Sequence, residues 1–113
     1  MKVPMPNETE TFQYACPADA LAEGQMKAIE LADRVVILVR YGGLVYCLDD
    51  VCTHDGGTLS DGIFADGQVA CPRHGACFDV QTGEALTMPA TEDTTCHEVK
   101  TDGGKLYVRI KQP

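Results

Sequence analysis

Residues 46–57, Tyr-Cys-Leu-Asp-Asp-Val-Cys-Thr-His-Asp-Gly-Gly, and residues 71–76, Cys-Pro-Arg-His-Gly-Ala, decide how this 113-residue chain is read. Each stretch holds one cysteine and one histidine: Cys52 with His54, then Cys71 with His74, and residues 55–70 separate the two pairs. Two such loops facing each other would supply two thiolates and two neutral imidazoles. That donor set suits a [2Fe–2S] centre in which two histidines replace two cysteines on one iron. A structural zinc site is the alternative use of two Cys and two His. Zinc sites more often pair Cys with Cys and His with His, whereas both loops here are mixed and the first has a single intervening residue. The mixed loops favour iron and sulfur. Gly56, Gly57 and Gly75 beside the histidines let backbone N–H groups come close to sulfur, because glycine tolerates positive φ.

On these residues the chain resembles the Rieske-type ferredoxins, the electron-carrying components of multicomponent aromatic-ring dioxygenase systems. The likeness extends through Tyr46-Cys47-Leu48-Asp49-Asp50 ahead of Cys52, and through Phe78-Asp79 and Thr82-Gly83 after His74. It implies an all-β Rieske fold: an antiparallel β-sandwich with a small cluster-binding subdomain, about residues 47–86, at its tip, within one domain spanning 1–113. It implies one [2Fe–2S] cluster per chain, with Cys52 and Cys71 on the iron that stays ferric. His54 and His74 would then hold the iron that accepts the electron. Met88-Pro89-Ala90 matches the proline loop that shields the cluster in the family.

Departures from the high-potential branch of the family are informative. Respiratory members join an extra cysteine in each ligand loop as a disulfide; the matching positions here are Gly57 and Arg73. Those proteins also aim a serine and a tyrosine hydroxyl at cluster sulfur, where this chain has Ala76 and Phe78. Hydrogen bonds to sulfur stabilise the reduced, more negative state, so their loss lowers the potential. The expectation is a cluster near the bottom of the range of about −150 to +300 mV.

Outside the ligand loops the chain reads as short strands with turn punctuation. Strands are expected over Phe12–Cys16, Gln25–Leu31, Arg34–Tyr41, Leu44–Cys47, Ile63–Phe64, Gln68–Cys71, Phe78–Val80, His97–Lys100 and Lys105–Ile110, with a helical turn or loop over Pro17–Glu23. Val35-Val36-Ile37-Leu38-Val39 is apolar on both faces, which predicts a central strand. Gly42-Gly43 reads as a two-residue hairpin turn, and Asp66-Gly67 as a turn between Ile63-Phe64 and Gln68–Cys71. Leu106, Val108 and Ile110 fall on one face of the last strand.

The net charge of −8 disfavours a nucleic-acid partner. Between Tyr41 and Pro72 lie Asp49, Asp50, Asp55, Asp61 and Asp66 and no Lys or Arg. These aspartates read either as an acidic collar that steers basic partner surfaces or as ordinary turn residues. Met1–Thr11 has no apolar run, and no stretch is long enough to span a bilayer, so a cytoplasmic carrier free of the membrane is expected. Cys16, Cys47, Cys77 and Cys96 have no paired spacing and read as buried or half-buried free thiols in strands, Cys77 being a conceivable spare ligand.

The resemblance implies a monomeric electron carrier between a ferredoxin reductase, flavin-containing and fed by NAD(P)H, and a terminal Rieske non-haem iron oxygenase. Both partners would dock transiently through basic surfaces. A small subunit held permanently by another oxidoreductase is the second reading. An oxygenase in its own right is disfavoured, because its mononuclear iron needs two further histidines and only His97 is spare. His97 itself is expected at a strand surface.

Overall fold

The computed structural model describes residues 12–31, 34–50, 58–72, 75–87 and 93–111. Among these residues nine strands form: β1 (Gln13–Pro17), β2 (Met26–Leu31), β3 (Arg34–Tyr41), β4 (Leu44–Asp49), β5 (Ile63–Ala65), β6 (Gln68–Ala70), β7 (Cys77–Asp79), β8 (Cys96–Asp102) and β9 (Lys105–Arg109). The Pro17–Glu23 segment contains a single 3-10 turn, Ala18–Ala20, and a second turn spans Leu59–Asp61.

The strands build a six-stranded sheet in the order β1-β9-β8-β4-β3-β2 and a three-stranded sheet in the order β5-β6-β7. All pairings between named strands are antiparallel. β8 is the pivot of the larger sheet. Its first residues, Cys96 and His97, pair with Leu48 and Cys47 of β4, whereas Glu98–Asp102 pair with β9. The change of partner lets the sheet fold over itself. Cys16, Leu106 and Val108 from one half then meet Val36, Leu38 and Cys47 from the other in one apolar cluster.

The expected central strand owes its two apolar faces to this layering. Val36 and Leu38 point into the sandwich, while Ile37 and Val39, on the opposite face, join Leu48 in a second cluster with Leu59, Val69, Cys71, Ala76, Phe78 and Val80. Val36 through Val39 are all fully buried. At about 25 cal/mol per Å² of apolar surface, each such side chain contributes roughly 1.5–3 kcal/mol relative to exposure. Leu106, Val108 and Ile110 share the buried face of the last strand and its extension, as their alternation predicts.

Strand ends moved where pairing overrode local signals. β4 runs on to Asp49 because Asp49 is in register with Val36. β8 is longer at both ends than its apolar pattern, since Thr101 and Asp102 pair with Leu106 and Lys105. β7 begins at Cys77, paired with Ala70, and stops at Asp79.

One expectation is overturned. His97 is not a strand surface residue: it is 4% exposed, at the point where β8 leaves β4 for β9. Its Nε2 lies 2.7 Å from Asp49 Oδ1, and its Nδ1 accepts the Lys111 N–H at 3.0 Å. Nδ1 is therefore the unprotonated nitrogen, and Nε2–H donates to the carboxylate. An imidazole satisfied at both nitrogens can be buried without an unpaired polar atom.

Candidate metal centre

The second ligand loop is delivered by the β5–β6 hairpin. Its turn is Asp66-Gly67, with φ values of 54° and 79°. Asp tolerates this left-handed region better than most residues and Gly enters it freely, which is the chemistry of the type I′ hairpin. The turn sets the register Phe64↔Val69, and two residues after Val69 the chain reaches Cys71.

Cys71 is 2% exposed. Its N–H donates to Ala76 O at 2.7 Å, and its C=O accepts the Gly75 N–H at 3.0 Å. These two bonds tie Cys71 to Gly75 and Ala76. Arg73 and His74 lie outside the described residues.

The first loop leaves from the end of β4. Val51–Gly57 lie outside the described residues, and with them Cys52, His54, Asp55 and Gly57. The chain is described again from Thr58, and Leu59 is buried against the same cluster as Cys71 and Ala76. Gly62 seals the junction. A Cβ at this position would stand 1.8 Å from Ala70 O and 3.2 Å from Leu59 O. The backbone that follows the first loop thus lies directly on the residue that precedes Cys71. Leu59, which follows the first loop in the chain, packs with Cys71 and Ala76 of the second on one apolar floor that includes Val69, Phe78 and Val80.

This arrangement fits a [2Fe–2S] cluster. Cys71, expected as a thiolate donor, stands on a dry floor, and Leu59, which follows the segment bearing Cys52 and His54, is packed against it. Ala76 and Phe78 are fully buried in that floor and present no hydroxyl. Cys77, the conceivable spare ligand, faces elsewhere. It is in register with Ala70 and Ile63 on the outer face of the small sheet, and its Sγ lies 3.5 Å from Gly75 O. Met88-Pro89-Ala90, the matching shield loop, lies outside the described residues. Among the described residues no group of three or more His, Cys, Asp or Glu side chains converges as a further metal site.

The remaining cysteines are free thiols in strands, as expected: Cys16 and Cys47 buried, Cys77 and Cys96 half-buried. Burial pushes the Cys47 thiol well up, with Cys96 and Asp49 adding to the effect. Burial also raises Cys16 and Cys96. Thiols held protonated in this way are poor nucleophiles.

The acidic collar needs correction. Asp49 is committed to Arg34 Nη1 at 3.2 Å and to His97, and Asp50 is 3% exposed. Asp50 is thus withdrawn from partners, and the half-buried Asp49 is already paired. Asp61 and Asp66 are exposed, the first accepting the Thr58 hydroxyl hydrogen bond and the second in the hairpin turn. The pairing of Asp49 with His97 and the anchoring of Asp50 had no sequence signal, because each partner lies ten or more positions away.

Comparison with known proteins bears on the same residues. The Rieske [2Fe–2S] domain family matches residues 11–101. The ferredoxin subunit of 3-phenylpropionate/cinnamic acid dioxygenase from Escherichia coli K12 is 35% identical over 100 residues, covering 88% of this chain and 93% of the relative. Among solved structures, the ferredoxin of carbazole 1,9a-dioxygenase from Nocardioides aromaticivorans IC177 superposes with a TM-score of 0.85 at 29% identity, over 89% of this chain and 99% of that one. A ferredoxin chain from a complex of reduced oxygenase and oxidised ferredoxin in carbazole 1,9a-dioxygenase gives 0.82 at 28% identity, over 87% and 92%. The fold and the extent of the match agree: the chain belongs to the Rieske [2Fe–2S] domain family.

Proposed function

We propose that this chain is a low-potential one-electron carrier that accepts electrons from an NAD(P)H-dependent flavin reductase and passes them to a terminal Rieske non-haem iron oxygenase. It makes and breaks no substrate bond itself. The observation that carries this reading is likeness: the relative matched over 93% of its own length is a dioxygenase ferredoxin subunit. The solved complex of a similar ferredoxin with its oxygenase supports the delivery step.

When bound, the cluster supplies reversible one-electron chemistry. Cys52 and Cys71 would hold one iron and His54 and His74 the other, and the imidazoles would be the exit for the electron. The floor keeps water from one side of the site. Ala76 and Phe78 leave that side without hydroxyl donors, which favours the low potential needed downstream of NAD(P)H. Asp61 and Asp66 supply exposed negative charge beside the first loop and the β5–β6 turn, suited to transient docking of basic partner surfaces. The domain spans 1–113 with a cluster-binding subdomain of about 47–86, inside which the β5–β7 sheet falls. A monomer in the cytoplasm completes the reading; among the described residues no helix is long and apolar enough to cross a membrane.

The test is an EPR-monitored redox titration of anaerobically purified protein. A reduced signal of mixed nitrogen–sulfur [2Fe–2S] type that appears only at negative potential is the expected result. The same signal at clearly positive potential would move the protein to quinol-linked transfer. Zinc with no signal would overturn the reading.

A further inference from the structure

Asp50 and Ser60, ten positions apart, are joined by two hydrogen bonds to one buried carboxylate. Asp50 Oδ1 accepts the Ser60 N–H at 2.7 Å, and Oδ2 accepts the Ser60 hydroxyl at 2.6 Å. The Asp50 N–H in turn donates to Val35 O at 3.0 Å, which ties the carboxylate's own backbone to the start of β3. Asp50 is 3% exposed, and among the described residues no Lys, Arg or His forms an ion pair with it. A carboxylate taken out of water without a cation is expensive and persists only where hydrogen bonds hold it. Ser60 provides two, one from backbone and one from side chain, in a charge-assisted geometry.

The position of this clasp gives it meaning. Asp50 stands two residues before Cys52, and Ser60 follows Leu59, which is buried on the floor with Cys71. The clasp therefore gathers both ends of the segment bearing Cys52 and His54 and fastens them to β3 and to the floor.

We propose that the Asp50–Ser60 clasp is a positioning element for the first ligand pair. The proposal rests on the cluster reading given above.

Three variants test the clasp. Asp50→Asn keeps an acceptor for the Ser60 N–H and a donor toward its oxygen. Ser60→Ala keeps the backbone bond alone, and Asp50→Ala removes both bonds. Each is purified with its cluster, and three quantities are measured: iron per chain, the rate of cluster loss to a chelator, and the EPR line shape of the reduced protein. Asp50→Asn is expected to rescue cluster retention relative to Asp50→Ala. Ser60→Ala is expected to lose the cluster faster than wild type. Asp50→Ala is expected to lose it fastest, by about tenfold or more, the factor set by hydrogen bonds to a charged group. Should Asp50→Ala fail to fold, Ser60→Ala carries the test alone. Wild-type cluster retention in Ser60→Ala would overturn the clasp while leaving the carrier reading standing. A wild-type protein that binds no [2Fe–2S] cluster would overturn both.

Discussion

Replacing His97 by alanine tests the packing that the fold places behind the first ligand loop. The side chain is fully buried and makes two hydrogen bonds, one to a carboxylate and one from a backbone N–H. A hydrogen bond to a charged group contributes about 1.5–3 kcal/mol and a neutral one about 0.5–1.5 kcal/mol. The cavity left by the ring adds to this, so the loss should reach about 3–5 kcal/mol. That is a large share of the roughly 5–15 kcal/mol typical of a small domain. The assay is urea denaturation at pH 7 followed by circular dichroism, on samples matched for iron content, because cluster occupancy itself stabilises the fold. With a slope of about 1–3 kcal/mol per M, the midpoint should fall by more than about 1 M. A double-mutant cycle with Asp49→Asn should show coupling of at least about 1 kcal/mol. A loss below about 1 kcal/mol, or strict additivity with Asp49→Asn, would refute the assignment of His97 as a buried latch between β4, β8 and the chain after β9.

The same latch shapes the acid limb of stability. Burial alone would raise the Asp49 carboxyl, but the His97 hydrogen bond and the Arg34 charge outweigh it and hold it below the usual carboxylate range. A depressed folded-state value means the stabilisation is present above the unfolded value near 3.8 and lost as pH falls through the folded one. Asp49→Asn should flatten the stability profile below about pH 4, and an unaltered acid limb would rule this out. Installing the missing hydroxyls, Ala76→Ser with Phe78→Tyr, should raise the midpoint potential. A donor strengthened by about 1–2 kcal/mol on reduction shifts a one-electron potential by roughly 40–85 mV, and an unchanged or lower potential would refute the tuning account. Gly62→Ala sets a methyl group against Ala70 O and Leu59 O, both backbone atoms, so the two loop stems must separate. The expected outcome is a loss of about 2 kcal/mol or more and reduced iron per chain; full occupancy would show that the stems need not touch.

How much of this molecule could be read from its residues depended on how far apart the interacting groups lie in the chain. The family was legible because each Cys/His pair is local and its spacing is itself the signature, and the family match over residues 11–101 agrees. The β5–β6 hairpin was legible because Asp66-Gly67 is a turn with its own backbone preference. β3 announced its central place through Val36–Val39, although only the layers revealed that its two faces serve two different clusters.

His97 marks the limit. As a lone histidine in an alternating strand it reads as exposed, and only the change of partner along β8 turns it inward toward Asp49, 48 positions away. Asp50 and Asp49 look alike as neighbouring acids, yet one fastens a loop and the other holds a buried imidazole. The sequence by itself determined the cofactor class, the all-β character and the turns, because these follow from residue types at short spacing. Only the tertiary structure decided which polar groups are buried and with whom. Burial is a property of which strands end up side by side, and pairing across the sheet is set by the summed packing of two apolar clusters rather than by any one residue.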